Sequence, residues 1–199
     1  TGNDVIIRMG SPCAFPDVPV VSAVPGTVCS GASVTLTITS GNLNAATNWK
    51  WYTGSCGGTL IGTGISINVN PTVTTTYFVR GEGGCVSNAI CGTKTVTVNP
   101  YPNPAIQHTF SSPCYYTTNT FQPAAALLPG ATYQWNFGAN ANPSTATGYG
   151  PHNVQYNVAG SKTVKLVIYP NAPGAQCPDS STIMFTITNC PGQILGKVL

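Results

Sequence analysis

Charged side chains are scarce in this chain. They make up 6% of its 199 residues, with 7 Lys and Arg against 4 Asp and Glu. The carboxylates are Asp4, Asp17, Glu82 and Asp179, scattered through linkers and loops. A glycosidase needs two carboxylates held a fixed distance apart across a cleft, and calcium favours clustered hard oxygen ligands. Neither is present, so the sequence offers no catalytic pair and no metal cluster. A net charge of +3 is too small and too scattered for a nucleic-acid groove or a polybasic membrane patch. No CxxC pair occurs, and the two histidines, His108 and His152, lie far from any cysteine, which argues against zinc. Neither histidine carries a nucleophile motif, and both read as ordinary loop residues. No apolar run approaches the roughly 18 to 20 residues of a membrane span, and helix signals are missing. There is no leader-like segment at Thr1-Gly2-Asn3-Asp4, which reads as the interior of a longer chain or a mature end. These absences predict no catalytic residues, no metal, no cofactor, no nucleic-acid partner and no membrane insertion.

What the chain does have is Thr, Ser, Asn and Gly in abundance beside 42% hydrophobic residues. That is too apolar and too patterned for disorder. β-Branched residues suit a pleated, half-buried surface, so the composition predicts an all-β protein. The length accommodates two sandwiches of about 80 to 100 residues each.

Along the chain, Asp4–Met9 reads as a strand ending something upstream, and Ala14–Pro19 as a proline-marked linker. Val20–Val24 reads as an edge strand. Ser33–Thr39 alternates strictly, with Val34, Leu36 and Ile38 on one face. Trp49-Lys50-Trp51-Tyr52 then places both tryptophans on one face and Lys50 and Tyr52 on the other. Ile65–Val69, Thr74–Arg80 and Thr93–Val98 follow as strands, with Tyr77 and Val79 in the core. Turn signals every 8 to 12 residues are the sequence pattern of an immunoglobulin-like sandwich. Asn99-Pro100-Tyr101-Pro102-Asn103-Pro104 is a short proline-rich joint. The second half repeats the rhythm. It has strands at Thr118–Gln122, Tyr133–Phe137, Val154–Val158, Thr163–Tyr169 and Thr182–Thr188. Tyr133-Gln134-Trp135 echoes the earlier tryptophan strand, which favours core packing over a sugar platform for Trp49, Trp51 and Trp135. The tail Gln193–Leu199 reads as the start of another domain.

Two resemblances can be named on these residues. Cys29-Ser30-Gly31, the run WYTGSCGGTLIGTG (Trp51 to Gly64), TTTYFV (Thr74 to Val79) and Gly84-Cys85 resemble an Ig-like repeat. That repeat belongs to large surface proteins of gliding and polymer-degrading bacteria. YQWNFG (Tyr133 to Gly138) and YNVAGSKTVKLVI (Tyr156 to Ile168) are similar to a PKD-type domain. Asn136, Ala139 and Asn140 stand where that family has acidic and glycine positions, a departure that weighs against a calcium or acid-turn role there and leaves backbone oxygens as the remaining calcium ligands. The resemblances imply two tandem Ig-like/PKD-like antiparallel β-sandwiches joined by the proline-rich linker. Residues 1–16 would end a preceding domain or form a linker, 17–99 would be the Ig-like sandwich, 100–190 the PKD-like one, and 191–199 the start of a following domain. They also imply spacers, stalks or adhesive modules of an extracellular, cell-surface chain, often exported by the type IX route.

Eight cysteines in small β units read as disulfides of an exported protein. Cys114 and Cys177 are the natural pair within the second repeat, and by equivalence Cys29 pairs with Cys85 and Cys56 with Cys91. A strand start and the loop after another strand lie at opposite ends of a simple Ig sandwich, which strains this scheme. Cys29–Cys56 with Cys85–Cys91 is the rival, and Cys13 and Cys190 belong to flanking domains or joints. Exposed tyrosines at Tyr52, Tyr115 and Tyr116 are the candidate glycan contacts, since flat aromatic faces stack on sugar rings. The expected partners are other domains of the same long chain, surface polysaccharide or other cell-surface proteins. The leading expectation is a non-catalytic stalk or adhesive segment. The alternatives are an accessory carbohydrate-binding part of a secreted polysaccharide-degrading enzyme, and a surface filament subunit completed by strand addition at Val5–Met9 and Ile194–Leu199.

Overall fold

Strand formation follows directly from period-two patterning. Val34, Leu36 and Ile38 are buried while their threonine neighbours face outward or lie half-buried. The computed structural model describes residues 13–84 and 90–190. It is all-β, with no helix among the described residues, and it divides into two compact units, Thr1–Asn99 and Pro100–Leu199. The strands expected at Asp4–Met9 and in the tail after Gln193 lie outside the described residues.

The first unit contains β1 (Val20–Val24), β2 (Thr27–Cys29), β3 (Val34–Ser40), β4 (Asn48–Thr53), β5 (Thr59–Thr63), β6 (Ser66–Val69), β7 (Thr75–Glu82) and β8 (Gly92–Asn99). A three-stranded sheet in the order β1-β3-β6 faces a five-stranded sheet in the order β2-β8-β7-β4-β5. Pairing is antiparallel throughout except between β2 and β8, which run parallel. Val34, Leu36, Trp49, Trp51, Tyr77 and Val79 meet in the core between the sheets. The segment expected as a linker near Ala14 is tied to the turn before β4. The Asn44 amide donates to the Phe15 carbonyl (2.7 Å), and the Asp17 carboxylate accepts from both the backbone and the side chain of Asn42.

The second unit contains β9 (Ile106–Phe110), β10 (Thr118–Pro123), β11 (Thr132–Asn136), β12 (Ala141–Asn142), β13 (Thr145–Thr147), β14 (His152–Tyr156), β15 (Gly160–Tyr169) and β16 (Asp179–Ile187). Its sheets run β12-β14-β10-β9 and β13-β11-β15-β16. Phe121, Tyr133, Trp135, Phe137, Tyr156 and Leu166 form the centre of its core. His108 and His152 are strand residues, not loop residues. The His108 ring stacks on Phe121 (4.6 Å between centroids) and its Nε2 lies 3.0 Å from the Asn119 Oδ1. His152 sits edge-on to Trp135. Their aromatic surroundings account for both placements.

One device recurs in the two units at the same spacing. The Trp51 Nε1–H donates to the Gly64 carbonyl (2.8 Å), and the Gly64 N–H donates back to the Trp49 carbonyl (2.9 Å). The Trp135 Nε1–H donates to the Gly148 carbonyl (3.0 Å), and the Gly148 N–H to the Tyr133 carbonyl (3.0 Å). In both cases 13 residues separate tryptophan from glycine. The two glycines adopt φ of +102° and +91°, a region L side chains rarely enter. The indole thus satisfies its buried donor while pinning the end of the next turn.

Cys56 is bonded to Cys91, with Cα atoms 5.7 Å apart. This excludes the rival pairing of Cys29 with Cys56 and of Cys85 with Cys91. Cys85 itself lies outside the described residues. In the second unit Cys114 is bonded to Cys190, not to Cys177. The reason is strand length. Cys177 precedes β16 and Cys190 follows it, so its nine residues put about 30 Å between the two ends, far beyond the roughly 7 Å a disulfide spans. The segment around Cys114 lies beside the far end of β16 through a parallel bridge to Thr188. Every described cysteine, Cys13, Cys29 and Cys177 included, is disulfide-bonded.

Candidate functional site

Because β4 alternates, seating Trp49 and Trp51 in the core turns Lys50 and Tyr52 toward the outer face of the five-stranded sheet. Opposite Lys50 on β7 stands Arg80, and opposite Asn48 stands Glu82. All three polar partners converge on the Glu82 carboxylate. Lys50 Nζ lies 2.8 Å from Oε2, and Arg80 Nη2 lies 2.7 Å from Oε1. The Arg80 Nε–H donates to Oε1 (2.8 Å) and the Tyr52 hydroxyl donates to the same oxygen. The Arg80 guanidinium also lies 5.5 Å from the Tyr52 ring centroid. Burial pushes the Glu82 carboxyl up, but the hydrogen bonds from Lys50, Tyr52 and Arg80 outweigh it and hold the group at about 2. The Tyr52 hydroxyl is raised, by burial first and by its bond to Glu82 second. The Glu82 carboxylate is thus met by three partners within the cluster.

Tyr52, expected as an exposed glycan contact, is buried instead. It is 6% exposed, covered by the network that its own hydroxyl joins. Tyr115 and Tyr116 do come together in the second unit, with ring centroids 5.0 Å apart and planes tilted by 57°. Tyr116 is 43% exposed, while Tyr115 is half-buried and lines a small cavity of about 190 Å³ with Asn157 and Asn189. A 57° tilt gives no continuous flat platform for a sugar ring.

The remaining carboxylates are engaged as caps. Asp17 accepts from Asn42, and Asp179 Oδ1 accepts from the Ser180 N–H (2.7 Å). Asp4 lies outside the described residues. Among the described residues no three His, Cys, Asp or Glu side chains group as metal ligands, and no helix is long and apolar enough to cross a membrane.

A concavity lies where sequence patterning gave no signal, on the outer face of the second unit's β13-β11-β15 sheet. It is an open groove of about 610 Å³, lined by Gln134, Asn136, Thr145, Thr147, Lys165 and Val167, together with Trp135 and Ala146. Thr147 and Val167 stand on either side of Gln134, and Thr145 and Lys165 on either side of Asn136. The trace of this site in the sequence was only the polar half of an alternating strand, which any solvated face would share.

With this geometry in view, known proteins can be compared. Residues 16–100 match the family model "Ig-like domain CHU_C associated". The match supports a bacterial Ig-like domain over β1 to β8. The Ig-like domain thus contains the tryptophan strand, the Glu82 cluster and the Cys56–Cys91 bridge. No curated protein matches the chain significantly. Among solved structures, a cytokine receptor complex is 13% identical with a TM-score of 0.36, covering 86% of this chain and 98% of that one. The three N-terminal domains of the bacteriophage RB49 highly immunogenic outer capsid protein are 9% identical with a TM-score of 0.31. That alignment covers 85% of this chain and 58% of that one. Neither likeness carries an argument about this protein.

Proposed function

We propose that the chain is a non-catalytic structural segment, a stalk or adhesive spacer, of a large exported bacterial cell-surface protein. The observation that supports this most directly is the Cys114–Cys190 bridge, which spans 76 residues and joins the second unit near its two ends. Tension entering one end of that unit passes through a covalent bond before it can peel β10 to β16 apart. The Ig-like match over residues 16–100 supports the surface assignment, and disulfides at every described cysteine support an oxidising compartment. The engaged carboxylates, with Glu82 saturated by three partners, favour a structural over a hydrolytic role. On this reading the second unit is a PKD-type module and export runs through the type IX route. Its partners are the neighbouring domains of the same chain, with surface polysaccharide or other cell-surface proteins as adhesion targets. Antibodies raised against this chain test the placement: they should label intact, unpermeabilised cells, and labelling that requires permeabilisation would refute it.

A further inference from the structure

The two units present the same sheet face in opposite states. The shared tryptophan–glycine device makes Lys50 and Tyr52, beside Trp51, the counterparts of Gln134 and Asn136, beside Trp135. In the first unit this face is closed, because Glu82 draws Lys50, Tyr52 and Arg80 into one saturated cluster. In the second unit it is a groove of about 610 Å³, within the roughly 300 to 1,000 Å³ of small-molecule sites. The exposed side chains of Gln134, Thr145, Thr147 and Lys165 have no hydrogen-bond partner among the described residues. Asn136 Oδ1 accepts from the Gly138 N–H (2.8 Å), which leaves its two amide N–H donors for a ligand.

We infer that this groove binds a segment of acidic polysaccharide. Two amides and two threonine hydroxyls match the donors and acceptors of sugar hydroxyls, and Lys165, the only charged residue of the lining, takes a uronate carboxylate. The lining disfavours other occupants. An apolar ligand would leave the amides unpaired, nucleic acid would demand several cations, and a protein partner would want a larger apolar or aromatic centre than Val167 and Ala146 offer beside the buried Trp135. The site rests on the adhesive reading above and names its ligand class; failure of the titration would remove the groove while leaving surface placement, tested by antibody labelling, untouched.

Titration of the whole 199-residue chain with short oligogalacturonate and with a cello-oligosaccharide of equal length, followed by amide NMR shifts, tests the inference. Saturable oligogalacturonate binding should shift Gln134, Asn136 and Lys165 and weaken with salt. The neutral probe should bind at least about tenfold more weakly, and Lys165→Gln should lose roughly tenfold. Gln134→Ala should also weaken binding, while unchanged melting of both variants confirms that they fold. No saturation by either probe, equal affinity for both, binding unchanged in the two variants, or shifts confined to Tyr115 and Tyr116 would each overturn it.

Discussion

Glu82 is the hub of the first unit's polar cluster. Its carboxylate neutralises Lys50 and Arg80 and accepts the Tyr52 hydroxyl on a sheet face that is mostly shielded from water. Glu82→Gln leaves two cations without their anion and should destabilise the unit by about 1–3 kcal/mol, read as a lower urea midpoint at unchanged m-value. The same group sets a pH dependence. Its folded value of about 2 lies below the ordinary 4.5, so the folded unit binds fewer protons there than the unfolded chain. The stabilisation is complete above the unfolded value and is lost as pH falls from 4.5 through about 2. Urea midpoints measured down that range should decline in the parent and flatten in Glu82→Gln; parallel declines would assign the acid sensitivity elsewhere.

The element that organises each unit is the aromatic strand, β4 or β11, fastened by its indole to a glycine on the next turn. Trp135 is 2% exposed, so Trp135→Ala should cost about 3–5 kcal/mol. A tryptophan serving as a sugar platform would instead lose binding without losing stability. An added Cβ at Gly148 meets nothing within 4 Å, yet its φ is +91°. Gly148→Ala should therefore cost about 1–2 kcal/mol from backbone strain alone, measured by thermal or urea unfolding. Strands with strict alternation, such as Val34-Leu36-Ile38 and Val164-Leu166-Ile168, were legible because one face is buried and the other solvated. β5 was not, since Leu60 and Ile61 are both exposed and break the period. β9 was hidden because His108, its inward residue, looks polar in sequence but stacks among phenylalanines. The burial of Tyr52 was illegible for a related reason: alternation told which way it points, and only the register of β4 on β7 revealed that Arg80 and Glu82 cover it. The groove at Gln134 depends likewise on the strands that flank β11.

At the scale of the whole molecule, covalent links add to the few ion pairs that this low-charge sequence forms among its described residues. The Cys56–Cys91 bridge closes 35 residues of the first unit and the Cys114–Cys190 bridge 76 residues of the second. Each is worth about 2–4 kcal/mol, so reduction should lower the urea midpoints of both units. The pairing in the second unit escaped sequence reasoning because it depends on which end of β16 lies beside Cys114, a matter of tertiary register. Its position near both ends of the unit is what a chain segment under tension requires. The most direct measurement is therefore single-molecule stretching of the intact chain in oxidising and reducing buffer. A tension-bearing segment should withhold at least roughly 250 Å of contour length until reduction frees the 76 residues between Cys114 and Cys190. Equal extension in the two buffers would contradict the stalk account.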